Sequence, residues 1–375
     1  MLAARELAQA RLPDREVILL SQTNHFLFAP LLIESLAGDI TVETCSRMLQ
    51  PWAEKRGVRF IQGRALEVRR ESRTLTYQDG KSALQEELTY EDLVFAQGGS
   101  PNFFRTTGAQ ERAFTLKRKE DIEKIHTRIQ DLVRKAKTAL TEPEKRALLT
   151  FGVAGGGPAG VESVCSLRTY LQKHCQKEAK ELLPLLSFFV IESSPNILPG
   201  FPDKMRQGAK QELKRQGITL YPGEAVTEVR EGEVITPART IKTSLLLWTA
   251  GIVPNMIPLV PPFDPTSSTG LPLLKNTVSL DEHHFVAGDV GALEWNSIRV
   301  PKNGQIAMQL GHAIAELLIR RDRGEVIQTK APQLKGFFLG MGESGFLSLG
   351  CVVLKNKLVN IFRLYFYRFR MWQIL

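Results

Sequence analysis

The stretch LLTFGVAGGGPAGVESVCSLRTYL, residues 148–171, constrains the fold more than any other part of the chain. An apolar run ends in Gly155, Gly157 and Gly160 at GxGxxG spacing, and a helical pattern follows at once. The next apolar run, LSFFVIE, ends on the acidic Glu192, and a helix is predicted over 203–216. Glycines in such a loop let the backbone approach a pyrophosphate, the helix N-terminus offers unpaired N–H groups, and the acidic residue accepts from a ribose 2′-hydroxyl. Gly155, Gly156, Gly157, Pro158, Gly160 and Glu192 are therefore candidate dinucleotide contacts. Glu192 is followed by Ser193 and Ser194 with no arginine, which favours NAD over NADP, because a carboxylate repels a 2′-phosphate. The same glycines would also serve tight strand-to-helix packing with no ligand.

The first residues read as the second element of a similar unit. MLAARELAQARLPDREVILLSQ begins with strong helix formers, is stopped by Pro13 and Asp14, and continues into a short apolar strand over 16–20. A nucleotide-binding unit starts with a strand and a glycine turn before that helix, and neither is present here. Further along come a loop and short helix in NHFLFAPLLIESLAGDI, a helical stretch near 46–56, and alternating segments at 58–68 and 74–78 that predict an antiparallel meander. A strand EDLVFAQGG, a charged helix over 119–141, short strands around 218–236, the strand SLLLWTAG, a Pro- and Gly-rich loop over 253–275, the strand HFVAGD and a helix from about 303 to 322 complete the pattern. The class is α/β, with two Rossmann-like units and a Gly-punctuated, then aromatic, tail from 332.

With 375 residues, 43% apolar and 24% charged, the chain is long enough for two domains and is not disordered in character. The net charge of +9 suits an anionic partner, but no long Lys/Arg tract occurs outside mixed-sign helices. The final residues, NIFRLYFYRFRMWQIL, combine Arg363, Arg368 and Arg370 with a dense aromatic set, which points to a membrane surface rather than nucleic acid. Cys45, Cys165, Cys175 and Cys351 are scattered without CxxC spacing, so neither a disulfide framework nor a metal site is indicated. No signal peptide or spanning run is visible.

Several stretches in order resemble the type II NADH:quinone oxidoreductases, single-chain flavoenzymes with two dinucleotide-binding domains. They are HFLFAPLLIESLAG, NFF with GAQERAFTLK at 102–117, GGGPAGVE, IESSPNILPGF, LLLWTAGIVPN, VAGD and PKNGQIAMQLG. The resemblance implies a glutathione-reductase-like fold with FAD held by residues 1–115 and 242–331, an NAD domain inserted over 116–241, and a membrane-docking segment over 332–375. It implies FAD and NADH as cofactors, a quinone as acceptor, and peripheral attachment to a membrane, with a homodimer possible. For a bacterial source the site would be the cytoplasmic face of the inner membrane; a plastid or mitochondrial source would need a targeting peptide.

By the same resemblance, Asp289 with Gly288 holds the ribityl and phosphate end of FAD, and Gly98 and Gly251 lie in turns near the cofactors. Ser21 stands where the family has an acidic ribose ligand. Gln305 and Gln309, four apart on one helix, face the flavin and quinone, and Glu162 relays a proton to the reduced quinone. The family's first strand and FAD glycine loop have no counterpart here, so the expectation is that Met1 is internal to a longer reading frame or that the sequence is a fragment. The alternative is a degenerate paralogue without flavin, acting as a redox-sensing NAD-binding protein. A sulfide:quinone oxidoreductase is a further alternative, which would require redox cysteines beside the flavin. In either case, without that strand its two neighbours should show unpaired backbone across a gap.

Overall fold

The computed structural model describes residues 1–263, 273–325, 329–350 and 352–375. Cys351 and the middle of the Pro- and Gly-rich loop lie outside the described residues. The glycine-loop region forms a four-stranded parallel sheet in which Thr150–Ala154 pairs with Ser187–Glu192 on one side and Leu245–Trp248 on the other, with Ile218–Pro222 beyond Ser187–Glu192. A sheet with both faces covered has strands that are continuously apolar: Phe151, Val153, Val190, Leu245 and Leu247 are buried on one face, and Ala154, Phe189, Ile191, Leu246 and Trp248 on the other. Residues 245–248 belong by their hydrogen bonds with the inserted unit, which the sequence reading closes at residue 241.

Two helices cover the first of these faces. In Lys119–Thr138 the residues Ile122, Ile125, Ile129, Leu132 and Val133 fall at helical spacing and pack into the same core as Val161, Val164 and Leu167 of Pro158–Glu178. The first helix ends three residues before the predicted 141 because Thr141 caps the next one. Its hydroxyl accepts from Glu144 N at 3.4 Å, and the Glu144 carboxylate accepts from Thr141 N at 3.2 Å.

The other half of the chain builds smaller sheets. Ile18–Ser21 runs parallel to the start of Arg59–Arg69, whose continuation pairs antiparallel with Thr74–Asp79 and then Gln85–Thr89, giving the meander. Leu93–Phe95 runs parallel to His284–Val286. Among the described residues these two parallel pairs share no hydrogen bonds, and residues of both line one cleft. The helix expected near 46–56 is shorter, Leu49–Glu54, with Pro51 in its first turn where no N–H is required. Ser46–Met48 is instead a strand paired with His25–Leu27.

The tail is more ordered than its composition suggests. Phe337–Met341, Ser344–Leu349 and Val352–Asn356 form an antiparallel sheet, and the helix Lys357–Ile374 follows, its N-terminus capped by Asn356 Oδ1 accepting from Val359 N at 2.7 Å. Among the described residues no helix is long and apolar enough to cross a membrane.

Candidate functional site

The dinucleotide loop has the geometry its glycines require. Gly155 has φ +108°, and a side chain there would strike Ala250 at 2.7 Å. At Gly160 a Cβ would lie 1.8 Å from the Gly155 carbonyl oxygen, so this glycine lets the helix pack onto the loop. Gly156 is enclosed by Glu192 and Ile197. Gly157, by contrast, has nothing within 4 Å of a Cβ position, and it immediately precedes the helix at Pro158. Glu192 closes the loop from the neighbouring strand: Oε2 accepts from Gly156 N at 2.6 Å and Oε1 from Ser194 N at 2.7 Å. The carboxylate is thus fixed at the carboxyl end of its strand, with remaining lone pairs for a ribose hydroxyl.

These differences give opposite expectations for two small substitutions. Gly160→Ala should destabilise the fold by about 1–3 kcal/mol or more through overpacking. Gly157→Ala should leave the melting temperature unchanged while weakening NADH binding severalfold, measured by fluorescence titration; equal behaviour of the two variants would contradict this division.

A cleft of 3190 Å³ lies alongside, and the structure brings Ser21, Gly98, Pro158, Glu162, Gly251, Gly288, Asp289 and Gln305 to its wall. Gly288 (φ +81°) and Gly98 (φ +65°) both need the left-handed conformation, and Gly98 has no atom within 4 Å of its Cβ position, so backbone is offered bare to the cleft. Asp289 follows Gly288, and its carbonyl accepts from Lys302 Nζ at 2.7 Å. The helix Gly304–Asp322 points its N-terminus here, capped by Asn303 Oδ1 accepting from Ile306 N at 2.9 Å. Bare glycine turns, a carboxylate and a helix N-terminus around a space of this size fit a flavin dinucleotide.

Three of the expected contacts already hold protein partners. Ser21 Oγ donates to Thr23 O at 2.9 Å and accepts from Thr23 N at 3.4 Å, so it closes a local turn. Gln305 and Gln309 hold the segment after their helix: Gln305 Oε1 accepts from Lys335 N at 2.8 Å, and Gln309 exchanges bonds with Gln333 N at 2.9 Å and Gln333 O at 2.8 Å. Gln305 lines the cleft, whereas Gln309 faces this strap.

Glu162 belongs to a buried ion cluster that the sequence reading missed. Glu162 Oε1 accepts from Gly340 N at 2.7 Å and lies 3.6 Å from Arg363 Nη1, while Arg363 Nη2 meets Glu34 Oε1 at 2.5 Å. Asn360 Oδ1, one turn earlier on the C-terminal helix, accepts from Arg363 Nε at 3.0 Å and Nη2 at 2.8 Å. A Cβ on Gly340 would come within 2.4 Å of the guanidinium, so glycine there makes room for it. Burial pushes the Glu162 carboxyl up to about 7, against the opposing pull of Arg363 and the Gly340 N–H, with Glu34 adding to the rise. Arg363 is 1% exposed, which corrects its expected place among membrane-facing arginines. The opposite face of the helix does present Leu358, Phe362, Tyr365, Phe369 and Trp372 to solvent. Phe366 and Tyr367 of the same helix, with Phe338 of the strand Phe337–Met341, line the cleft wall, the Phe338 and Phe366 ring centroids lying 5.2 Å apart.

Cys165 is fully buried inside the glycine-loop helix, and burial pushes its thiol pKa well up, so it is not a reactive thiolate. Cys45 donates to Leu31 O at 3.1 Å, and Cys175 is also buried. Among the described residues no group of His, Cys, Asp or Glu is arranged to hold a metal.

This combination of a Rossmann-type dinucleotide loop and an adjoining cofactor cleft defines a two-site nucleotide-binding oxidoreductase fold. Residues 1–311 match the model of the pyridine nucleotide-disulphide oxidoreductase family, and the chain belongs to that family. Among relatives, it is 27% identical over 252 residues to an external alternative NAD(P)H-ubiquinone oxidoreductase B4, mitochondrial, of Arabidopsis thaliana, covering 64% of this chain and 43% of the relative. It is 28% identical over 251 residues to the external NADH-ubiquinone oxidoreductase 2, mitochondrial, of Saccharomyces cerevisiae, covering 64% and 46%. The matched regions thus span less than half the length of these relatives. In fold, the structure of NDH2 from Plasmodium falciparum in complex with NADH superimposes with a TM-score of 0.88 at 18% identity, over 99% of this chain and 93% of that one. The sulfide:quinone oxidoreductase of Aquifex aeolicus shares the architecture with a TM-score of 0.80 at 17% identity, over 100% and 88%.

Proposed function

We propose that this chain is a flavin-dependent oxidoreductase that passes electrons from NADH to a quinone at a membrane surface without pumping protons. The observation that carries the reading is the convergence on one cleft of Pro158 and Glu162 from the dinucleotide helix, the bare turns at Gly98 and Gly288, and the aromatic wall from the C-terminal helix. The names of its relatives support the same donor and acceptor. Residues 1–115 and 242–331 are assigned to FAD and 116–241 to NAD, with strand 245–248 joining the NAD sheet.

Bound FAD would supply the two-electron relay between donor and acceptor. Gly288, Asp289 and Gly98 would hold it, and Gln305 would place an uncharged amide beside it. Gly155, Gly156, Gly157, Pro158 and Gly160 would bind the NADH pyrophosphate, with Glu192 on the adenosine ribose and Gly251 near the nicotinamide. Glu162, whose carboxyl is raised to about 7 and so exists in both protonation states near neutrality, would give its proton to the reduced quinone. Phe362, Tyr365, Phe369 and Trp372 would enter the lipid interface, with the exposed Arg368 toward anionic head groups, and the aromatic wall would guide the quinone inward. For relatives described as mitochondrial the membrane concerned is an organellar one, and that is the location favoured here over a bacterial inner membrane.

Steady-state oxidation of NADH and NADPH with a short-chain quinone tests the reading. With Glu192 fixed against the loop, kcat/KM for NADPH should be about 10²-fold lower, as juxtaposed like charges cost several kcal/mol. Equal efficiency with both donors would contradict the role given to Glu192, and no quinone-dependent oxidation of either would contradict the activity.

A further inference from the structure

We propose that Phe104 is a substrate-contact residue whose ring stacks on the nicotinamide of the bound dinucleotide; this rests on the dinucleotide reading above. Phe104 and Arg105 occupy the left-handed region with φ of 51° and 58°, a pair of conformations that bulky side chains adopt only when their surroundings hold them there. The holding groups are visible. Asn102 Oδ1 accepts from Phe104 N at 2.9 Å, Asn102 O accepts from Trp248 Nε1 at 2.8 Å, and Asn102 N donates to Gly251 O at 3.0 Å. Phe103 turns inward onto Trp248, ring centroids 5.5 Å apart, and this leaves Phe104 turned outward with 61% of its surface exposed.

The exposed ring is not on an arbitrary face. It rests against Gly251, where a Cβ would come 2.8 Å from the ring, just past the carboxyl end of strand Leu245–Trp248. That strand lies beside Thr150–Ala154, which feeds the glycine loop, and on the opposite side from Ser187–Glu192. Glu192 marks the adenosine side of the crevice, so a dinucleotide whose pyrophosphate sits at the loop extends its other half toward the end of strand 245–248. Phe104 therefore stands where the nicotinamide half arrives. Because the backbone that carries the ring is fixed in advance, stacking on a planar ring carries less ordering cost than it would from a mobile loop.

Binding of NADH and of ADP-ribose, which lacks the nicotinamide, separates the possibilities when titrated against the wild-type chain, Phe104→Leu and Phe104→Tyr. The leucine variant should bind NADH about fivefold to tenfold more weakly and ADP-ribose as the wild type does, and the tyrosine variant should restore NADH binding. Equal weakening for both ligands, or none for either, would overturn the stacking role. A wild-type chain that binds neither ligand would instead remove the dinucleotide reading, and this proposal with it.

Discussion

A Glu162→Gln variant should reduce quinone about 10²-fold more slowly or worse, while the rate at which NADH reduces the bound flavin stays close to that of the wild type. The asymmetry follows from position and charge. Glu162 sits in the helix that opens at the dinucleotide loop, but its carboxylate points away from the loop toward Gly340 and Arg363, at the wall shared with the C-terminal aromatic residues. Glutamine keeps the shape and an acceptor for the Gly340 N–H, and it loses the transferable proton together with the negative charge that the ionised form places 3.6 Å from Arg363. Because the wild-type carboxyl is raised to about 7 by burial, quinone reduction should fall as pH rises through that value, and the variant should lose this dependence. The same shift has a sign for stability. A carboxyl whose folded pKa lies above its unfolded value near 4.5 favours the folded state at low pH, and that contribution disappears as pH rises from about 4.5 to about 7. Melting temperatures of the glutamine variant should accordingly be flatter across this interval. Parallel loss of both half-reactions would assign Glu162 to binding rather than proton transfer.

Replacing Arg363 with methionine should cost about 3–5 kcal/mol of stability, because it strands two buried carboxylates that now share one guanidinium. Urea unfolding would show this as a lower midpoint, and the second substitution Glu34→Gln should recover part of the loss by removing one of the uncompensated charges. The effect extends to function through the C-terminal helix. Arg363 lies on the face turned inward, with Phe362, Tyr365, Phe369 and Trp372 on the face turned out, so the buried pair fixes which residues are presented to the surroundings. An unchanged unfolding midpoint would mean that the cluster does not hold the helix in place.

How much of this was legible beforehand depends on the range over which each residue acts. The glycine loop, its strands and Glu192 could be read directly, since their constraints are local or one crossover apart, and the charged helix expected over 119–141 is present as Lys119–Thr138, with Ile122, Ile125 and Ile129 as its buried stripe. The resemblance supplied Asp289, Gly98 and Gln305 as wall residues of one cleft, and the structure gathers them there. Arg363 was misplaced because an arginine among aromatic residues looks like a surface anchor until Glu34 and Glu162, far away in sequence, are seen to enclose it. Gly340 was a usable hint, being a glycine inside an alternating apolar run, FFLGM, where only a close approach by another group explains it. GES between two such runs, with Gly342 at φ +68°, was the turn that would have revealed the C-terminal sheet. Ser21 and Gln309 could not have been placed from sequence. A hydroxyl that closes its own turn and an amide that mimics a neighbouring backbone give no pattern that distinguishes them from ligand contacts.

The most direct measurement is anaerobic titration of the FAD-reconstituted protein with NADH, following the visible flavin absorbance, and then addition of a quinone. The expected result is flavin retained in stoichiometric amount through gel filtration, bleached by NADH and restored by the quinone. Protein that retains no flavin, or flavin that NADH leaves oxidised, would contradict the proposal that this cleft joins NADH to a quinone.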